Sequence, residues 1–228
     1  MNNKNIADTS VILDAVVQFV YEDKIDIEDV FFQTKLTLKD EFTYTKEPIM
    51  ELPVALRESD KKLQNVAYYK FSGDELVVKI SPTILSFAIN EFYPGWSKFK
   101  EQIVSRYKDL SMDRKIKNIS IRYIDFFEDV NIFEHTSVIV ETPKAIAPQD
   151  FEEKKRHYFC EFASSNNTNV KLQIVNNITI KTETQEEQIG SIIDTDVHSQ
   201  NIFDYEKALE DIHDVAKVTY FGLLQENI

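Results

Sequence analysis

Apolar side chains recur at every second position over much of the chain. Leu13, Ala15, Val17, Phe19 and Tyr21 fall on one side of an extended segment, with Asp14, Gln18 and Glu22 on the other. Ile119, Ile121 and Tyr123 alternate with Ser120 and Arg122. Leu76, Val78 and Ile80 follow the Gly73-Asp74 turn signal behind Tyr68-Tyr69-Lys70-Phe71. Val170, Leu172 and Ile174 precede Asn176-Asn177, after which Ile178, Ile180 and Thr182 continue the alternation. Phe32, Thr34, Leu36 and Leu38 oppose Gln33, Lys35 and Thr37 and read as another strand. A period of two is what a sheet with one buried face requires, and short turns between strands favour antiparallel pairing.

Two segments keep a period of three to four instead. Trp96, Phe99, Ile103, Tyr107 and Leu110 form the stripe of an amphipathic helix over 94–110, with Pro94 suited to its first turn. Leu209, Ile212, Ala216, Thr219, Tyr220 and Leu223 form the stripe of a second helix over 205–225. There Asp204 is placed to cap the first free N–H groups and Glu206 sits at the positive end. The expected fold is therefore α+β, with mainly antiparallel sheet packed on two long helices. It forms a single domain over 1–228, with room for two intimately packed, similar halves, 1–142 and 143–228. Pro143 and Pro148 mark a connector, and the charged stretch 55–65 reads as a loop or short helix.

Composition narrows the function more than it specifies it. With 43% hydrophobic and 12% aromatic residues in 228, the chain builds a core and is not disordered. A net charge of −13 repels nucleic-acid phosphates and anionic membrane surfaces, and attracts cations or basic proteins. The basic stretch from Lys98 to Lys117 interleaves with aromatics, but helical spacing puts those rings on the buried stripe rather than in a stacking groove. The four glycines, Gly73, Gly95, Gly190 and Gly222, are too dispersed to build a phosphate-cradling loop. Cys160 stands alone in the chain, so no internal disulfide forms, which suits a reducing compartment; it reads as an inert thiol in an apolar strand. Without a long apolar run there is neither signal peptide nor membrane span to expect, and a soluble, cytoplasmic protein follows.

Three sets of side chains carry candidate chemistry. Asp194, Asp196 and His198 lie two apart and share one face of a strand, a mixed oxygen and nitrogen set that a divalent metal accepts; the competing reading is a solvent-facing strand. Arg122 could clamp an anion, or pair with an acid on the neighbouring strand. Tyr123 and Asp125 share the face opposite Arg122. His213 sits beside the stripe of the last helix, as a base or as a histidine tucked at the helix–sheet boundary. Phe87, Phe92, Trp96 and Tyr220 could line an apolar ligand cavity between sheet and helix, or fill it. No cofactor and no complete metal site are expected.

Four local patterns carry a resemblance. They are Val11-Ile12-Leu13-Asp14-Ala15-Val16-Val17-Gln18-Phe19, Tyr93-Pro94-Gly95-Trp96, Arg122-Tyr123-Ile124-Asp125, and Leu209-Glu210-Asp211-Ile212-His213 behind Ile193-Asp194-Thr195-Asp196-Val197. In this order they resemble an uncharacterised, sporadically distributed prokaryotic family of about this length. Asp125 stands where that family more usually has asparagine. The resemblance implies an accessory locus, with phage defence or toxin neutralisation among its roles, and supplies no activity. The expectation is a non-catalytic cytoplasmic binding or adaptor protein with a protein partner. A helix-grip-like small-molecule binder and a metal-dependent hydrolase are the alternatives, and a homo-oligomer is compatible with each.

Overall fold

The computed structural model describes residues 6–38, 41–110, 114–138, 154–165, 167–181 and 185–224. The fold is α+β, with nine strands and five α-helices among the described residues. In chain order these are β1 (Val11–Tyr21), α1 (Ile27–Leu38), β2 (Thr43–Lys46), α2 (Val54–Ser59), α3 (Lys61–Gln64), β3 (Tyr69–Ser72), β4 (Leu76–Ile80), β5 (Ile84–Ile89) and α4 (Trp96–Asp109). Then come β6 (Ile116–Glu128), β7 (His157–Ala163), β8 (Thr168–Lys181), β9 (Glu187–Gln200) and α5 (Tyr205–Leu223). The sheet is antiparallel, with strand order β2-β3-β4-β5-β1-β6-β9-β8-β7. The proposed connector at Pro143 and Pro148 lies outside the described residues.

The chain divides into two compact units. The first gathers Met1–Leu13, Arg122–Val197 and His213–Ile228, and the second Asp14–Ile121 and His198–Ile212.

In the second unit the alternation of β1 does what a half-buried strand should: Ala15, Val17, Phe19 and Tyr21 are buried. The Phe19 ring stacks on Tyr107 of α4 at 4.2 Å and meets Phe87 edge-on at 5.9 Å and Tyr205 of α5 at 6.1 Å. Helix α4 starts at Trp96, two residues after Pro94, because Gly95 takes φ 88°, a left-handed value open to glycine. Its buried residues Phe99, Ile103 and Tyr107 are spaced as the stripe requires. Helix α5 begins at Tyr205, and Asp204 Oδ1 accepts the N–H of Lys207.

One expectation changes. The segment from Phe32 to Leu38 is not a strand but the end of α1. Its buried residues are Val30, Phe31, Thr34 and Leu38, a helical spacing, while Phe32 and Leu36 of the supposed strand face lie in solvent. Asp26 Oδ1 starts that helix by accepting the N–H groups of Glu28 and Asp29. Phe31 stacks on Tyr69 at 4.2 Å, and the Tyr69 hydroxyl donates to Glu28 at 2.8 Å. Burial and that carboxylate push the phenol up to about 12.

The alternating runs on either side of Asn176-Asn177 belong to one strand. Strand β8 runs straight through the pair, with Asn177 at φ 49°, a value asparagine tolerates better than other side chains. The Asn176 Oδ1 accepts the N–H of Arg156 at 2.6 Å. The 55–65 stretch forms the short helices α2 and α3.

The core of the first unit joins Phe127, Ile132, Phe133, Leu172, Ile174, Ile193, Leu223 and Leu224. Among the described residues, no helix is long and apolar enough to cross a membrane.

Candidate functional site

In the first unit, strand β6 separates its side chains onto two faces of the sheet. Arg122 points one way and reaches Asp194 on the neighbouring strand β9: Nε donates to Oδ1 at 2.8 Å and Nη2 to Oδ2 at 2.6 Å. This is the bidentate fork that guanidinium and carboxylate geometry favours. The Asp194 side chain is 7% exposed and that of Arg122 47%. An ion pair with a buried acid holds its worth mainly by sparing that acid a lone burial. Arg122→Ala should therefore destabilise the fold by about 2 kcal/mol, less than for a fully buried pair because water screens the guanidinium side. Urea midpoints of the variant and of Arg122→Ala/Asp194→Asn should differ, with the double variant the more stable.

Asp196 and His198 follow Asp194 along β9, both half-buried. Among the described residues, no group of three or more His, Cys, Asp or Glu is placed to hold a metal.

Tyr123, Asp125 and Phe127 point the other way, under α5. The Tyr123 hydroxyl and His213 Nδ1 share a hydrogen bond at 3.1 Å, with the rings edge-on at 6.1 Å. The histidine is thus tucked at the helix–sheet boundary. Asp125 is 5% exposed, and burial alone raises its carboxyl to about 7. It has no hydrogen-bond or ion-pair partner among the described residues. On β9 the Ile193 side shares this covered face, since Ile193 packs with Leu223 and Leu224. Thr195 lies on that side, fully buried, with its hydroxyl also unmatched among the described residues. Adjacent strands thus bring one acid and one hydroxyl, both short of partners, under the last helix. Sequence spacing predicted that Tyr123 and Asp125 share a face; nothing in it indicated that the acid is uncompensated.

The remaining candidates are dispersed. In the second unit Trp96 Nε1 donates to Glu210 Oε2 at 2.7 Å, and Lys100 Nζ meets Glu210 Oε1 at 2.5 Å, which ties α4 to the start of α5. Phe87 is fully buried against Phe19, whereas Phe92 is 82% exposed. In the first unit the Tyr220 hydroxyl meets Ser10 Oγ at 3.0 Å. Cys160 is half-buried on β7.

Strand β7 itself ends the sheet order. Its register against β8 pairs His157 with Val175 and Ala163 with Asn169. The N–H of Ser164 donates to Thr168 O at 2.8 Å, and the N–H of Asn176 to Arg156 O at 3.2 Å. In an antiparallel pair these bonds recur at every second residue. The even-numbered residues of β7 therefore bond to β8, and His157, Phe159, Glu161 and Ala163 turn their N–H and C=O groups outward. Phe159 and Phe162 are 52% and 53% exposed on this edge.

No family model and no curated protein matches the chain.

Proposed function

We propose that this chain is a non-catalytic binding protein of a prokaryotic accessory locus, acting in the cytoplasm and docking an extended segment of a protein partner along β7. Membership of the sporadic family described above is part of the proposal. The observation that carries it is the β7 edge. Outward backbone groups at Phe159 and Glu161, next to two half-exposed phenylalanines, form the template on which a further strand adds. Most native edges are blunted by lysine, proline or a bulge, and β7 has none of these. The net charge of −13 favours a cationic partner.

The polar groups that chemistry would use support the same reading. Arg122, Asp194, Trp96, Glu210, Tyr123 and His213 hold one another in structural pairs.

A photoreactive side chain at Glu161 should give one discrete adduct in the native host. Phe159→Pro should abolish it, since proline removes an outward N–H that β8 does not use, so the melting temperature stays near that of the parent. An adduct indifferent to Phe159→Pro, or a scatter of unrelated adducts, would remove the reading. An adduct of two copies of the chain would replace the partner with self-association.

A further inference from the structure

The second unit carries a row of polar side chains that the β7 reading does not use. Cross-strand partners run from Thr45 to Lys70, Lys70 to Lys79, Lys79 to Ser86, and Ser86 to Gln18. Side chains alternate along β1, so Gln18 and its row point away from the face on which Phe19 meets Tyr107 of α4. The N–H of Gly73 donates to Leu76 O at 2.9 Å, which fixes the alternation between β3 and β4. Lys70 and Lys79 then form a pair without mutual backbone bonds, the kind whose Cα atoms approach to about 4.5 Å.

Like charges directly opposite on a sheet destabilise it. Neither lysine makes an ion pair or side-chain hydrogen bond among the described residues. That is unexpected in a chain with 39 acidic and 26 basic side chains, where a carboxylate neighbour is easily supplied.

A cavity of about 290 Å³ opens beside Lys79, walled by Lys79, Gln18, Ser81, Ser86, Asn65 and Glu47 among others. Ser86, 7% exposed, accepts from Gln18 Nε2 at 3.4 Å and keeps its own proton to give. Ser81 Oγ accepts the N–H groups of Ile84 and Thr83 at 2.8 and 3.3 Å, and likewise keeps its proton. One ammonium and two hydroxyl donors thus face the same space, and Lys79 carries an uncompensated like charge, Lys70, as its cross-strand partner. Among the described residues, Glu47 is the one carboxylate in the wall.

We propose that this cavity binds the phosphate group of a small phosphorylated molecule. An anion offsets the Lys79 charge and relieves its repulsion with Lys70, and point donors at separate corners suit a tetrahedral group. Among the described residues, no arginine lines the cavity to offer the planar fork that a carboxylate prefers. The volume sits at the lower end of ligand pockets, enough for a sugar-sized phosphate and little more. Glu47 accepts from a hydroxyl of the organic part and keeps bare inorganic phosphate from binding tightly.

The test uses the full chain with inorganic phosphate, and acetate at equal ionic strength as the comparison. Phosphate should bind saturably and raise the melting temperature; acetate should do neither. Lys79→Gln should weaken phosphate binding about tenfold by calorimetry, yet melt no lower than the parent in phosphate-free buffer, because the lysine repulsion is gone. Glu47→Gln should tighten phosphate binding several-fold. Equal effects of phosphate and acetate would show general screening only. That outcome, non-saturable binding, or Lys79→Gln with unchanged affinity would overturn the assignment.

Discussion

Replacing Asp125 by asparagine should stabilise the protein at pH 8 and flatten its stability between about pH 4 and 7. The folded carboxyl titrates at about 7 because it is buried without a partner, while in the unfolded chain it titrates near 3.9. Between those values the folded form holds a proton that the unfolded form has released. Stability contributed by this group therefore falls as pH rises through that window and levels off above the folded value. A shift of about three units, at 1.36 kcal/mol each, corresponds to on the order of 4 kcal/mol at most. Asparagine occupies the same volume and does not ionise. Urea midpoints of parent and variant at pH 5 and pH 8 isolate the effect from the other carboxylates. The gap between the two proteins should open on going to pH 8; a gap that is constant or closes contradicts the uncompensated burial. Under the proposed family membership, the asparagine usual at this position is the form without this penalty.

Gly190→Ala should have the largest effect of the four glycine-to-alanine changes. A Cβ built at Gly190 would lie 2.1 Å from the backbone oxygen of Phe127 and 2.8 Å from the Phe126 ring. A ring can turn, but the carbonyl belongs to β6, so the two strands would have to part. The cost should exceed the usual range for point substitutions, about 4 kcal/mol or more. Gly222 on α5 provides the contrast, with nothing within 4 Å of its Cβ position. Alanine there should gain about 0.5 kcal/mol through helix propensity. Melting temperatures and soluble yields of the two variants should move in opposite directions; equal, small shifts would remove the argument for close approach at Gly190.

The parts of the fold that local patterning made legible are those in which one periodicity was unopposed. β1, the Ile119-to-Tyr123 part of β6 and the Val170-to-Ile174 part of β8 follow alternation, and α4 and α5 follow stripes reinforced by Asp204 and by the Pro94-Gly95 start. α1 was hidden because Phe32, Thr34, Leu36 and Leu38 match a strand at every second position. Only the burial of Val30 and Phe31 separates the two readings, and burial is a property of the assembled chain. The runs on either side of Asn176-Asn177 form one strand, because a single left-handed asparagine does not end it. Of the candidate side chains, the Arg122 pairing with a neighbouring-strand acid was legible from charge and alternation. The solitude of Asp125 and the opposition of Lys70 and Lys79 were not, because both depend on which strands stand side by side.

The way the chain is threaded sets when it can become whole. β1, β6, β9 and α5 each begin in one unit and finish in the other. Tyr205, Leu209 and Ile212 complete the second unit, and Ala216, Leu223 and Leu224 the first. During synthesis neither can close until α5 has left the ribosome, so the nascent chain must keep its apolar strand faces in check throughout translation. Such distant joins also slow folding relative to a chain whose neighbours in space are neighbours in sequence. Cutting the gene between any two strands should leave no fragment that stands by itself.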